Sequence, residues 1–158
     1  MYDELSNDNM EEETNKETKM RKVLLQGAFD IINWGHVMAF QEAKAQGDYL
    51  VVALNTNELL EAYKGKAAVL PWYQKQFIIE SFKFVDEVIE APDFSPMKLL
   101  IEHDISVYCL TKEWEHTKLE EIEYMTRKGR KVHFLPRFPG VVPTSEIKRR
   151  LLAEEKNM

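Results

Sequence analysis

The sequence predicts an α/β fold: a Rossmann-like, doubly wound sheet of about five parallel strands with helices on both faces. Three observations predict it. Short apolar runs recur from residue 22 onward, each continuous rather than alternating, as strands covered on both faces read. Amphipathic stretches of helical spacing separate them, the pattern of βαβ units. The first apolar run also ends in a glycine turn that opens into a helix, the usual place for a ligand in such sheets.

In chain order, "KVLLQG" is the first buried strand, and "GHVMAFQEAKAQG" a helix with Val37, Phe40 and Ala43 on one side and Gly47 as its stop. "DYLVVALN" is the second strand and "NTNELLEAY" a short helix with an Asn or Thr cap. "WYQKQFIIESFKF" repeats apolar residues at helical intervals, with Trp72 and Tyr73 read as core packing, and "VDEVIE" is the third strand. "SPMKLLIEHD" begins with a Ser cap and a Pro at the first helical position. "ISVYCL" is the fourth strand, "TKLEEIEYMTRKG" a helix closed by Gly129, "KVHFLP" the last strand, and "PTSEIKRRLLAEEK" a final helix capped by Thr or Ser.

At 158 residues the chain has the length of one domain. Its charge is uneven. Residues 1–20 hold seven acids against Lys16 and Lys19, a net of −5, whereas the whole chain is −6, so the body is almost neutral. The first segment has the composition of a disordered acidic tail, leaving residues 21–158 as the folded domain. A nearly neutral body is not the footprint of a general nucleic-acid binder. There is no apolar run of membrane-spanning length and no secretory layout at the N-terminus, so a cytoplasmic protein is expected. One cysteine, Cys109, lies in an apolar run and reads as a small buried hydrophobe. His103, His116 and His133 share no ligand spacing, and no protein-held metal site is expected.

The loop after the first strand carries the functional signal. Gly27 ends the strand, and Gly35 with His36 opens the helix, whose first amides form an anion site that a side chain at position 35 would crowd. "GAFDIINWGH" resembles the G-x-F-D-x-x-H-x-G-H signature of the cytidylyltransferase-like nucleotidyltransferases, the glycerol-3-phosphate cytidylyltransferase type among them. Gly27, Phe29, Asp30, Gly35 and His36 match, with Ala28 at the variable position, while Asn33 stands where the first histidine belongs. The similarity continues through "AKAQGDYLVVALNTNE", through "YKGK" with Lys64, and through "YQKQFIIESFKFVDEVI", where Lys75 replaces an arginine. "LTKEWE" matches a tryptophan loop at Trp114 and Glu115. "LPRFPGVVPTSEI" is similar to an R-T-x-G-[IV]-S-T element, with Arg137, Gly140, Thr144 and Ser145 fitting if one residue is inserted.

The resemblance implies transfer of a nucleotidyl group from CTP to a small alcohol phosphate such as glycerol 3-phosphate. ATP acting on a sugar phosphate or cofactor precursor is the alternative, and a decayed nucleotide-binding protein the second. It implies a homodimer, and Mg²⁺ sharing the charge of the triphosphate. A phosphate acceptor is already anionic, so the reaction needs cations and oriented donors, not an activated nucleophile. His36 and the first-turn amides would hold the α- and β-phosphates. Lys64 and Lys75 would take the acceptor phosphate or the triphosphate tail. Arg137, Thr144 and Ser145 would take the remaining oxygens. Asn33 can donate a hydrogen bond but carries no charge, so a slower enzyme is expected; Lys75 keeps charge but loses the two-pronged grip of arginine.

Overall fold

The computed structural model describes residues 19–158; most of the acidic segment predicted to be disordered lies outside the described residues. Five strands form one parallel sheet: β1 (Lys22–Gly27), β2 (Tyr49–Asn55), β3 (Glu87–Ala91), β4 (Val107–Thr111) and β5 (Lys131–Leu135). The helices are α1 (Trp34–Lys44), α2 (Asn57–Lys64), α3 (Trp72–Glu80), α4 (Met97–Glu102), α5 (Leu119–Arg127) and α6 (Thr144–Lys156). A 3₁₀ turn, Lys112–Trp114, follows β4.

The order β3-β2-β1-β4-β5 places β1 at the centre, with Leu24 opposite both Val51 and Tyr108. Chain direction across the sheet reverses between β1 and β4, so the loops after these strands diverge and leave a crevice at their carboxyl ends. Side chains alternate between two cores. Val23, Leu25, Leu50, Val52, Leu54, Val107 and Cys109 face α1 and α3 through Phe40, Ala43 and Ile79. Leu24, Val51, Ala53, Tyr108 and Leu110 face α4 and α5 through Leu100 and Met125. Burial on both faces explains why the strands read as unbroken apolar runs.

One cap follows the sequence and two are corrected. Thr56 Oγ1 accepts from Leu59 N–H at the start of α2. At α4 Pro96 holds the cap position instead of the first helical one and Met97 begins the helix, with Ser95 Oγ, one residue farther out, accepting from Met97 N–H. The predicted Thr or Ser cap of α6 is corrected: Pro143 holds the cap position without a side-chain bond, and Thr144 is the first helical residue. Trp72 packs against the core and its indole N–H donates to Leu54 O (3.2 Å), whereas Tyr73 is 66% exposed. Among the described residues no helix is long and apolar enough to cross a membrane.

Candidate active site

A cleft of about 810 Å³ opens at the carboxyl ends of the strands. Of the residues predicted for the site, Gly27, Ala28, Phe29, Asp30, Asn33, Gly35, His36, Lys64, Arg137 and Thr144 line it. Lys75, Gly140 and Ser145 do not. Gly140 turns the loop before α6 at φ +79°, and Ser145 is exposed on α6.

The β1–α1 loop is shaped by two contacts that only glycine allows. A Cβ on Gly27 would stand 2.7 Å from the Phe29 ring, which lies under the strand end with its own backbone at φ 45°. A Cβ on Gly35 would stand 2.5 Å from Val141 Cγ1, because the loop before α6 leans on the first turn of α1. Both approaches are closer than packed atoms tolerate, so the two glycines set how near the walls of the cleft lie.

Asn33 caps α1. Its Oδ1 accepts from Gly35 N–H (3.0 Å), and its Nδ2 donates to Ile31 O (2.9 Å) and to Thr144 Oγ1 (3.2 Å). The carboxamide therefore ties the start of α1 to the start of α6, and both of its N–H groups already have acceptors. The sequence led us to expect a phosphate donor here; the structure gives the residue a positioning job.

Asn33 also fixes His36. The Asn33 backbone N–H donates to His36 Nδ1 (3.2 Å), so the lone pair is on Nδ1 and the proton of the neutral ring is on Nε2. The Phe29 ring meets the imidazole edge-on at 5.3 Å. Burial, with the Lys64 charge nearby, holds the His36 pKa below its ordinary 6.5, so the ring is neutral at pH 7 and offers Nε2–H as a donor.

Asp30 and Lys75 form the support beneath. The Asp30 carboxylate accepts from Val69 N–H (2.9 and 3.0 Å) and Leu70 N–H (3.1 Å), anchoring the segment after α2. Lys75 Nζ lies 3.8 Å away and Lys148 Nζ of α6 3.7 Å. Burial works to raise the Asp30 pKa, but the two amides and two lysines outweigh it and hold it low. Lys75 is fully buried, with no hydrogen-bond partner for its Nζ. Its position in the motif suggested a phosphate ligand; its burial makes it the counter-charge of Asp30 instead.

The opposite wall was largely missed from the sequence. Tyr63 at the end of α2, Phe94 after β3 and Trp114 after β4 line it, with ring centroids 5.7 Å (Tyr63–Phe94) and 5.5 Å (Phe94–Trp114) apart. Trp114 stood in a recognised motif, but nothing local in "PDFSP" marks Phe94, and Lys118 read only as the start of a helix. At the back of the cleft, burial pushes the Cys109 thiol up to about 12, so it is protonated and no nucleophile.

The donor set does not fit a protein-held divalent ion. Among the described residues no group of three or more His, Cys, Asp or Glu side chains converges, and the Asp30 oxygens are taken by amides and lysines.

Residues 24–150 match the Cytidylyltransferase-like family. The chain is 34% identical to a glycerol-3-phosphate cytidylyltransferase of Bacillus subtilis, over 84% of this chain and 98% of that one. It is 29% identical to a protein of the same name from Staphylococcus aureus, over 86% and 98%, and 27% identical to an FAD synthase of Picrophilus torridus, over 83% and 96%. The fold is also that of a lipopolysaccharide core biosynthesis protein from Thermoplasma volcanium, with a TM-score of 0.65 at 24% identity, over 76% of this chain and all of that one. The central-strand turn, the imidazole at the first helix and the match over most of the chain agree: this protein belongs to the cytidylyltransferase-like family and is an enzyme of the nucleotidyltransferase class.

Proposed function

We propose that the enzyme transfers a cytidylyl group from CTP to a small alcohol phosphate such as glycerol 3-phosphate, releasing pyrophosphate. The observation that carries this reading is the fixed tautomer of His36. A neutral imidazole with Nε2–H facing a cleft also lined by Lys64, Arg137 and Thr144 is a donor set for phosphate oxygens. An acceptor phosphate oxygen attacks the α-phosphorus as the bond to the bridging oxygen breaks, and that electron pair leaves with pyrophosphate. No proton has to be removed from the attacking oxygen, so the absence of a reactive nucleophile or base in this set costs the reaction nothing.

In this reading His36 Nε2–H steadies the charge that builds on the phosphate oxygens, with Lys64 and Arg137 neutralising the remainder. Thr144, whose oxygen already accepts from Asn33, has its own O–H left to donate. Mg²⁺ would come with the nucleotide substrate and share the charge of the triphosphate. A second copy of the chain covers the exposed face of α3, where Tyr73 and Phe77 (72% exposed) stand one turn apart; sedimentation at the mass of a single 18.6 kDa chain overturns that part.

A second reading, transfer from ATP to a sugar phosphate or cofactor precursor, is favoured by the FAD synthase relative, which matches over nearly its whole length. Pyrophosphate release measured with CTP and with ATP across a panel of phosphorylated alcohols separates the two. Turnover with CTP and glycerol 3-phosphate is expected. Turnover with ATP alone moves the assignment to the second reading, and nucleotide binding without turnover leaves a binding protein.

A further inference from the structure

The aromatic wall of the cleft carries a cation that belongs to the protein. Lys118, the residue before α5, is 6% exposed, and its Nζ lies 3.5 Å from the centroid of the Phe94 ring. The same Nζ donates to Phe94 O (2.5 Å). Tyr63 and Trp114 flank Phe94, and all three residues line the cleft and remain more than a third exposed. Aromatic faces are the kind of surface that holds an ammonium group. On Phe94 that ammonium is Lys118.

A lysine ammonium has three donors, and among the described residues one is used, on Phe94 O. Gln26 lines the same cleft, but its Nε2 already donates to Asn55 Oδ1 (2.8 Å) and Asp93 O (2.9 Å) and its Oε1 is buried, so the free capacity beside the aromatic rings is that of Lys118. A ligand hydroxyl accepts from it. A second ammonium cannot accept, and it would face Lys118 across a partly desolvated gap.

We infer that Lys118 is the residue that selects the acceptor: it occupies the Phe94 face of the aromatic wall itself, excludes amino-alcohol phosphates, and admits phosphorylated polyhydroxy compounds whose hydroxyls accept from its free donors. This rests on the cleft being the acceptor site of a nucleotidyltransferase, as proposed above, and names the class of acceptor it takes. Glu121, 5% exposed in the first turn of α5 and accepting from Ser95 Oγ, favours the charged form of the lysine, although burial lowers its pKa overall.

The test compares glycerol 3-phosphate, phosphoethanolamine and phosphocholine as acceptors at saturating CTP, for the wild type, Lys118→Met and Lys118→Arg. The wild type is expected to prefer glycerol 3-phosphate by about 100-fold in kcat/KM. Lys118→Met should lower that acceptor's kcat/KM on the order of 10–100-fold through KM, leave the KM for CTP unchanged and shrink the preference at least tenfold, with Lys118→Arg retaining most of it. An equal loss for every acceptor together with a raised KM for CTP shows a merely structural lysine and overturns the inference. So does a wild type faster on phosphocholine. Because removing Lys118 leaves Glu121 buried, Lys118→Met with Glu121→Gln replaces the single variant if the latter unfolds. If nothing turns over, the functional reading fails separately, and calorimetric titration of the three phosphate esters still decides. Tighter binding of glycerol 3-phosphate that is lost on Lys118→Met supports the inference, and equal affinities refute it.

Discussion

On the β1–α1 wall of the cleft nearly every polar group has a partner within the protein. Asn33 makes three side-chain hydrogen bonds, His36 Nδ1 takes the Asn33 amide, and Asp30 holds two backbone amides and two lysines. The wall facing it, built from the segments after β2, β3 and β4, is three exposed aromatic rings and one lysine with donors to spare. The first wall is pre-organised, and one ring N–H is what it presents. The second is incomplete until something binds. Pre-organised donors suit the part of a reaction common to a whole class, the handling of a triphosphate. Unfinished hydrogen bonding suits the part that differs between members, because leaving it unmet penalises the wrong ligand.

The contrast breaks most severely at Asp30. Asp30→Asn keeps an oxygen for the Val69 and Leu70 amides but strips Lys75 of its counter-charge in a fully buried position. A loss of about 3–5 kcal/mol in stability is expected by chemical denaturation, the penalty for an isolated buried charge. Adding Lys75→Met should return most of it, since replacing both partners is far milder than removing one. The low Asp30 pKa gives the sign with pH. Its contribution is present above the unfolded carboxylate value of 3.8 and is lost as pH falls through the lower folded value, so the wild type should show an acid-induced loss that the double variant lacks. A double variant no more stable than Asp30→Asn breaks the picture of a paired support.

Next in size is His36. His36→Ala should cost on the order of 10²–10³ in kcat, the value of one oriented donor to a developing oxyanion, with a smaller effect on nucleotide affinity. Since burial and Lys64 keep the ring neutral, kcat in the wild type should be flat from pH 7 to pH 9, with no limb assigned to this histidine. Stability should instead fall on the acid side: the folded pKa lies below 6.5, the unfolded chain takes the proton first, and the fold weakens as pH drops through that window. A kcat that rises on protonating a group near 6.5 would mean an imidazolium works here, contrary to the hydrogen bonding.

The two walls also differ in how far the sequence revealed them. Gly27 through His36 is one contiguous segment, so its turn, its glycines and its helix start could be read in order, and the parallel sheet followed from apolar runs buried on both faces. Lys75 could not be read correctly. Its place in a motif suggested a ligand, and what its charge meets is Asp30, far off in the sequence in the loop after β1. The aromatic wall is assembled from Tyr63 at the end of α2, Phe94 after β3, Trp114 after β4 and Lys118 before α5, and of these only Trp114 stands in a motif that marks it as more than a surface residue. Side chains that meet only through topology leave no periodicity to find.

Asn33 gives the smallest expected change and the sharpest test of the first wall. Against the family pattern an asparagine there reads as lost catalytic power, and Asn33→His should then raise the rate. The structure argues otherwise. Histidine caps helices less well than asparagine, and its ring cannot reproduce bonds to Gly35 N–H, Ile31 O and Thr144 Oγ1 together. Asn33→His should therefore lower stability by about 1 kcal/mol and free the start of α6 from α1. Any gain from a second imidazole is opposed by the looser placement of His36, whose Nδ1 bond depends on the Asn33 backbone keeping its cap geometry. A change in kcat of less than about tenfold in either direction follows, against the roughly 100-fold or more expected if a transition-state donor had been restored. A gain of that larger size would show that the Asn33 cap is a remnant and that the tether to Thr144 contributes little.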